Sequence, residues 1–303
     1  MQPLGTAWVC RRFEVNSLPA NIGKLKKNLE NCELCPRACH VNRQAGQIGT
    51  CQTTNLPVVA SFAPHFGEEP VLVGTGGSGT IFFSGCNLKC VFCQNYDISH
   101  KLTGKTLNPL EIADVALQLQ QLGCENINFV TPTHVAHAVA EAIYHARRQG
   151  LSLPVVYNCG GYESLQTLEL LEGLIDIYMP DFKYADSRAA SQYSQAEDYP
   201  TVAADAVKEM YRQVGPLQLD KGGLAFHGLL VRHLVLPHNL VQSQKVIETI
   251  AEIAPHSAVN IMDQYHPEYK ALAYPELCTR PCLGDVNSLR HLAQKRDLVL
   301  VDH

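Results

Sequence analysis

Apolar residues along this chain fall into two rhythms. Short dense runs occupy GTIFFSG (79–85), NINFVTP (126–132), PVVYNC (154–159), IDIYMPDFK (175–183), LLVRHLVLP (229–237) and AVNIMDQY (258–265). Most are rich in Val, Ile, Phe and Tyr, side chains that pack well on a pleated surface. They are apolar almost throughout, as expected of parallel strands covered on both faces. Between them apolar positions recur at helical spacing. In 109–122 these are Ile112, Val115, Ala116, Leu119 and Leu122. Asn108 and Glu111 suit a capping box there, with Pro109 at the first helical position and Gly123 as the stop. Stretches 134–149, 164–172, 203–213 and 243–253 read as helices in the same way.

Six β-α repeats imply a parallel sheet with right-handed crossovers. Six strands are too few for the usual closed eight-stranded barrel. The expected fold is α/β, a partial, open (β/α)6 barrel spanning 66–265. Residues 1–65 show little periodicity and read as a small Cys-rich lobe stapled by metal, because so short a segment lacks its own core. The polar stretch 184–202 predicts a long loop or an interrupted helix, and 266–303 a C-terminal extension. Gly74, Gly76, Gly77 and Gly79 precede the first strand without a Walker or Rossmann context, so they predict a hairpin or loop rather than a phosphate cradle.

The 303 residues are 46% hydrophobic and 17% charged, enough for a sizeable core and unlike a disordered chain. The formal net charge of −5 argues against broad nucleic-acid binding, which needs a basic face. No apolar run reaches the ~20 residues of a membrane span. The first twenty residues lack the apolar h-region of a secretory signal, so the expected location is the cytoplasm. Thiols stay reduced there, and clustered cysteines more often bind metal than pair. Of twelve cysteines, Cys32, Cys35, Cys39 and Cys51 form one group and Cys86, Cys90 and Cys93 another. Cys10, Cys124, Cys159, Cys278 and Cys282 remain.

Gly85-Cys86-Asn87-Leu88-Lys89-Cys90-Val91-Phe92-Cys93 carries a C-x3-C-x2-C spacing directly after the first strand. In barrel-like α/β folds, active sites form at that end of the strands. Thiolates are the ligands iron–sulfur clusters prefer, whereas zinc ribbons present paired C-x2-C knuckles. Three cysteines on a four-iron cubane leave one iron open, which can chelate the amino and carboxylate groups of S-adenosylmethionine (SAM). One electron into the sulfonium then gives methionine and a 5′-deoxyadenosyl radical that abstracts hydrogen. Phe92 before the last cysteine matches the radical SAM signature.

Across most of its length the sequence resembles the radical SAM superfamily, particularly pyruvate formate-lyase activating-enzyme homologues. The resemblance is carried by GCNLKCVFCQN, INFVTPTH, VYNCGGYES, YMPDFKY, VRHLVLP and VNIMDQYHPEY. It implies a [4Fe–4S] cluster on Cys86, Cys90 and Cys93, SAM as cofactor, and an electron donor such as flavodoxin or ferredoxin. The family's Gly-Gly-Glu segment, which contacts the SAM amino group, is replaced here by Val130-Thr131-Pro132-Thr133-His134. Backbone carbonyls or the Thr131 and Thr133 hydroxyls stand in for it, or these threonines simply end a strand and cap a helix. Asn158-Cys159-Gly160-Gly161 is similar to the activases' Asp-Thr-Asn-Gly segment, implying a monovalent cation and SAM contact at Asn158. Asp181 and Lys183 are similar to their Asp-Leu-Lys. Two residues apart on a strand they share one face, which points them together into the site or joins them as an ion pair. Arg232 resembles an arginine near SAM. Lys183 and Arg232 are the expected catalytic residues. Gln264 and Tyr265 are expected on the substrate side, and His233 and His238 as structural groups.

Cys32-x2-Cys35-x3-Cys39-x11-Cys51 is read as a second metal site holding zinc or iron–sulfur, with His40 an alternative ligand. Cys278 and Cys282 are coincidental or complete another site. The functional expectation is an oxidoreductase-type radical SAM enzyme acting on a protein glycine, as in glycyl-radical activation, or on a small molecule or another protein modification. The alternative is a non-catalytic iron–sulfur or zinc scaffold.

Overall fold

A computed structural model describes residues 18–301. Cys10 and the segment on which the export expectation rests lie outside the described residues. In chain order the helices are α1 (Leu18–Lys27), α2 (Pro70–Val73), α3 (Tyr96–Ser99), α4 (Pro109–Gln121), α5 (Ala136–Arg148), α6 (Leu165–Leu171), α7 (Ser187–Ser194), α8 (Tyr199–Val214), α9 (Ser243–Ile253) and α10 (Leu283–Lys295). The strands are β1 (Val58–His65), β2 (Ser78–Phe83), β3 (Lys105–Thr106), β4 (Asn126–Val130), β5 (Val155–Cys159), β6 (Ile177–Pro180), β7 (Gln218–Leu219), β8 (Ala225–Leu234), β9 (Ala258–Met262) and β10 (Val299–Leu300).

The sheet runs β10-β9-β8-β6-β5-β4-β2-β1-β3. From β2 through β10 every neighbouring pair on this path is parallel, so the six expected strands form the partial barrel and a short seventh extends it. The extension after 265 supplies that seventh strand together with α10. At the other edge β1 lies antiparallel on β2. The apolar pattern does not predict β1, because its outer positions are exposed and Pro64 interrupts it. The polar stretch 184–202 is an interrupted helix: α7 stops at Gln195 in a left-handed conformation and α8 restarts at Tyr199. The Asn108–Glu111 capping box is fully formed on α4.

Strand alternation separates two apolar layers. Ile81, Ile127, Phe129, Val155, Tyr157, Tyr178, Leu229, Val231 and Val259 face the helices in the main core. Val156, Ile177, Met179, Leu230 and Ala258 point to the opposite, concave face, where Leu72 of α2 packs on them. Two residues further along the same strands, that concave face carries Asn158, Asp181, Arg232 and Asn260, while Asn128 of β4 stands level with Val156. The inner face is thus apolar at its base and polar toward the strand ends. The segment joining β1 to β2 plugs the gap. The Asn126 amide donates to the Leu72 carbonyl at 2.7 Å, the Asn260 amide to Glu69 at 3.0 Å, and Glu68 lies 3.5 Å from Arg232.

The chain before β1 docks on the outside of the barrel. Leu18, Ile22, Leu25 and Leu29 form one apolar stripe of α1 and its continuation, and they belong to the same core as α5 and α6. Lys26 pairs with Glu141 of α5 at 3.1 Å. Among the described residues, no helix is long and apolar enough to cross a membrane.

Candidate active site

The loop leaving β2 turns at Gly85, whose φ is +88°. A Cβ there would come 2.6 Å from the Cys51 carbonyl oxygen, so this position accepts only glycine. Cys86, Cys90 and Cys93 follow. The Leu88 amide donates to Cys86 Sγ at 3.4 Å and the Ser194 hydroxyl to Cys90 Sγ at 3.0 Å. Cys93 Sγ lies 3.1 Å from the Ser99 hydroxyl. Burial first, then repulsion from Cys90 and Cys93, pushes the Cys86 thiol up to about 12, against the Leu88 amide and Lys183. Burial likewise raises Cys90, with Lys183 opposing. Cys90 is buried and Cys86 and Cys93 are partly buried, so their ionisation depends on a bound cationic group, which would invert this preference and deprotonate them. The donor set fits an iron–sulfur cluster: three soft ligands, each with a hydroxyl or amide beside its sulfur. Phe92 packs edge-on against Tyr184 and Tyr265 and anchors the loop.

Opposite the loop, four of the expected residues form one network. Lys183 Nζ donates to Asp181 at 2.6 Å, and Arg232 Nε donates to the other carboxylate oxygen at 3.1 Å. Arg232 also donates to Asn158 Oδ1 at 2.6 Å. The Asp181, Lys183 and Arg232 side chains are only 16–17% exposed. Burial opposes the charge on Asp181, yet Lys183 and Arg232 hold its carboxyl below the usual range. Lys183 is held protonated by Asp181 and by Cys90 against the cost of burial. Asp181 and Lys183 therefore do both things their spacing allowed: they pair, and they face the thiols. Two protein cations already neutralise Asp181, in the place expected for a monovalent cation.

Other expectations are corrected. Thr131 sits at the strand end with φ +59°, but Thr133 caps no helix. Its hydroxyl donates to Glu163 at 2.6 Å, because a fully buried carboxyl competes better for it than a helix amide. Tyr265 does not line the substrate side. It is buried against Phe92, and its hydroxyl donates to the Leu277 carbonyl at 2.7 Å. Gln264 is exposed, its amide 3.4 Å from Met262 Sδ. His40 faces solvent beside Glu33 and does not line the small cavity of Cys32, Cys35, Cys39 and Cys51; the buried His134 lines it instead. Cys278 and Cys282 are free, exposed thiols. His233 is a satisfied structural group: it bridges the Phe182 carbonyl and the Ser243 hydroxyl, and burial drives its pKa down to about 4. His238 occupies an exposed turn near Thr279.

Residues 80–213 match the sequence profile of the Radical SAM superfamily. The chain carries a Radical SAM superfamily domain over those residues. It is 31% identical over 296 residues to an uncharacterized protein of Methanocaldococcus jannaschii, MJ0674, covering 94% of this chain and 81% of the relative. A second uncharacterized protein of that organism, MJ0808, is 24% identical over 165 residues, 49% of this chain and 48% of the relative. Among solved structures, a radical SAM methyltransferase from Sphaerobacter thermophilus shares the fold, with a TM-score of 0.50 and 13% identity over 74% of this chain and 66% of that chain. In this radical SAM fold the C-x3-C-x2-C loop stands at the carboxyl end of β2, as the sequence implied.

Sequence reading alone misses Glu163, Arg43, Arg37 and Glu69. Arg37 lies over Tyr162 and donates to the Asn87 and Ser194 carbonyls, tying the N-terminal segment to the cysteine loop. Nothing in the pattern marks these four, since each is polar in a polar stretch. Asn128 had a signal, a lone amide in the apolar run NINFV, and both its side-chain polar atoms are buried without a partner.

Glu163 gives a prediction. Burial raises its carboxyl to about 7, despite hydrogen bonds from Thr133, Cys159 and Tyr157. A carboxyl held above its unfolded value binds its proton more tightly when folded, so its stability contribution is lost as pH rises toward 7 and above. Glu163→Gln removes that loss. The expected gain is about 3 kcal/mol at pH 8, or about 6 °C in Tm, falling to about 1 kcal/mol at pH 5. Thermal melts of both proteins across that range check it; a Tm at pH 8 below the wild-type value contradicts the assignment.

Proposed function

We propose that this protein is a radical SAM enzyme that takes a hydrogen atom from its substrate, using a [4Fe–4S] cluster on Cys86, Cys90 and Cys93. When bound, the cluster and SAM supply reductive cleavage to methionine and a 5′-deoxyadenosyl radical. The observation that carries the reading is the facing of the three-thiol loop by a buried Lys183–Asp181–Arg232–Asn158 network at the strand ends.

In this reading Lys183 is the cation for the SAM carboxylate, since it already lies in the field of Cys86 and Cys90. Arg232 fixes Asp181 and Asn158 from the neighbouring strand. Thr131, at the end of β4, takes the SAM amino group through its carbonyl or hydroxyl, because the Thr133 hydroxyl is already committed to Glu163. The apolar base of the inner face excludes water from below. A one-electron donor of the flavodoxin or ferredoxin kind is the expected partner. The segments Asn158–Gly161 and Asp181–Lys183 resemble those of glycyl-radical activases, which supports a protein glycine as hydrogen donor.

The test is anaerobic reconstitution followed by reduction with SAM present. Release of 5′-deoxyadenosine is the expected result. A reconstituted cluster without SAM cleavage would instead favour an iron–sulfur scaffold. Substrate is then sought by transfer of substrate deuterium into 5′-deoxyadenosine. A glycyl radical signal on an added glycyl-radical protein supports the activase reading, and deuterium transfer only from small molecules overturns it.

A further inference from the structure

We propose that Lys89 is a positioning residue of the cysteine loop, its buried ammonium favouring the reduced form of a cluster on Cys86, Cys90 and Cys93. The inference rests on the cluster reading above and deepens it, by naming the residue that eases entry of the first electron.

The loop fixes where this side chain starts. Lys89 stands directly before Cys90. Its amide donates to the Ser194 carbonyl at 3.3 Å, and the Ser194 hydroxyl donates to Cys90 Sγ at 3.0 Å. On one side the Asn87 side chain donates to the Tyr162 carbonyl at 2.7 Å, and on the other the Val91 amide donates to the Tyr193 carbonyl at 2.8 Å. A surface lysine buries its stem and leaves its head in water. Lys89 Nζ is instead buried and, among the described residues, has no hydrogen-bond partner. Burial lowers its pKa, and the groups that act on it most are Cys86, Cys51, Arg37 and Cys90. Three sulfurs and a cation stand near it, and no carboxylate is among them.

An ammonium so placed needs a counter-charge, because burial without one is costly. The other cations at the loop are provided for. Asp181 accepts from both Lys183 and Arg232, and Arg37 donates to the Asn87, Ser194 and Gln195 carbonyls. The histidines add no charge. Burial first, with Lys89 among the further causes, lowers His100 and drives His134 down to about 3.

What remains is the group the thiols hold. Three thiolates outweigh the charge of an oxidised [4Fe–4S] core, and the reducing electron makes the whole more negative. A cation beside it stabilises the reduced state more than the oxidised one, and exclusion of water keeps that field strong. Net charge is one of the levers that set the potential of such a cluster. The step itself moves one electron from the external one-electron donor to the cluster, with no bond made or broken.

The test uses the full chain, reconstituted anaerobically with iron and sulfide, with iron counted in every sample. Wild type, Lys89→Met and Lys89→Arg are poised with redox mediators in the absence of SAM, and the reduced cluster is read by electron paramagnetic resonance. Lys89→Met keeps an unbranched stem and loses the charge. Its cluster is expected to hold the electron about tenfold more weakly, a midpoint about 59 mV more negative for one electron. Lys89→Arg keeps the charge and is expected to recover most of that shift. A full iron count with the wild-type midpoint in Lys89→Met overturns the inference and leaves the cluster assignment standing. So does a Lys89→Arg midpoint as low as that of Lys89→Met, since the shift then does not follow the charge. A wild-type chain that takes up no iron overturns both. Should Lys89→Met hold no cluster, Lys89→Gln is read in the same way. Loss of iron from Lys89→Met and Lys89→Gln but not from Lys89→Arg supports the role of the charge, and loss from all three overturns it.

Discussion

Alanine at Cys86 is expected to reduce 5′-deoxyadenosine formation to background. The remaining two thiols cannot hold a four-iron cubane with a single vacant iron, so iron content should fall by about four per chain. The size of the effect is bracketed by a milder change. Ser194→Ala removes only the hydroxyl 3.0 Å from Cys90 Sγ. Loss of such an outer partner costs about 10–100-fold in metal affinity or activity. The ligand itself must cost more. Product quantified by chromatography over several half-lives of SAM separates the two variants, and turnover by Cys86→Ala within tenfold of wild type would remove the cysteine loop from the chemistry.

Asp181→Asn is the second change with a large expected effect. The carboxylate neutralises Lys183 and Arg232 at once, at 2.6 and 3.1 Å. All three side chains are less than a fifth exposed, so solvent screens this network little. An asparagine leaves Lys183 without its carboxylate and Arg232 with Glu68 alone, at 3.5 Å. Breaking a buried pair from one side costs about 3–5 kcal/mol. In a chain of this size that lowers Tm by about 6–10 °C. SAM turnover should fall as well, because Lys183 loses the partner that aims it at the cysteine loop. Melts recorded at low and high salt, with a SAM-binding titration, check both parts. An unchanged Tm would mean that the network contributes no net stability, and unchanged SAM affinity that Lys183 is oriented by something else.

Both predictions concern residues that were legible in the sequence, and the reason is local. Cys86, Cys90 and Cys93 sit within one loop, so their spacing alone defines the ligand set. Asp181 and Lys183 are two apart in a run that reads as strand, and although β6 ends at Pro180 they still meet, as an ion pair just beyond it. The six parallel strands were equally legible, since burial on both faces leaves continuous apolar runs. β1 was not, because Ser61, Phe62 and Ala63 are exposed and dilute its apolar signal. The fates of Thr133 and Tyr265 were also hidden. Each depends on a partner distant in sequence, Glu163 and Leu277, whose position only the folded chain defines.

By itself the sequence determined what repeats or clusters within a few residues: the parallel α/β architecture, the three-thiol loop at the end of its first parallel strand, and the presence of a second cysteine group. Those follow from periodicity and from the short reach of a peptide loop. Only the tertiary structure decided that Arg232 meets Asp181 across 51 positions, that Glu69 closes the inner face against Asn260 across 191, and that the two cysteine groups abut at Gly85. These contacts join residues that no local rule connects. They exist because burying the apolar strand faces brings distant polar groups together, where each must find a partner or pay for its desolvation.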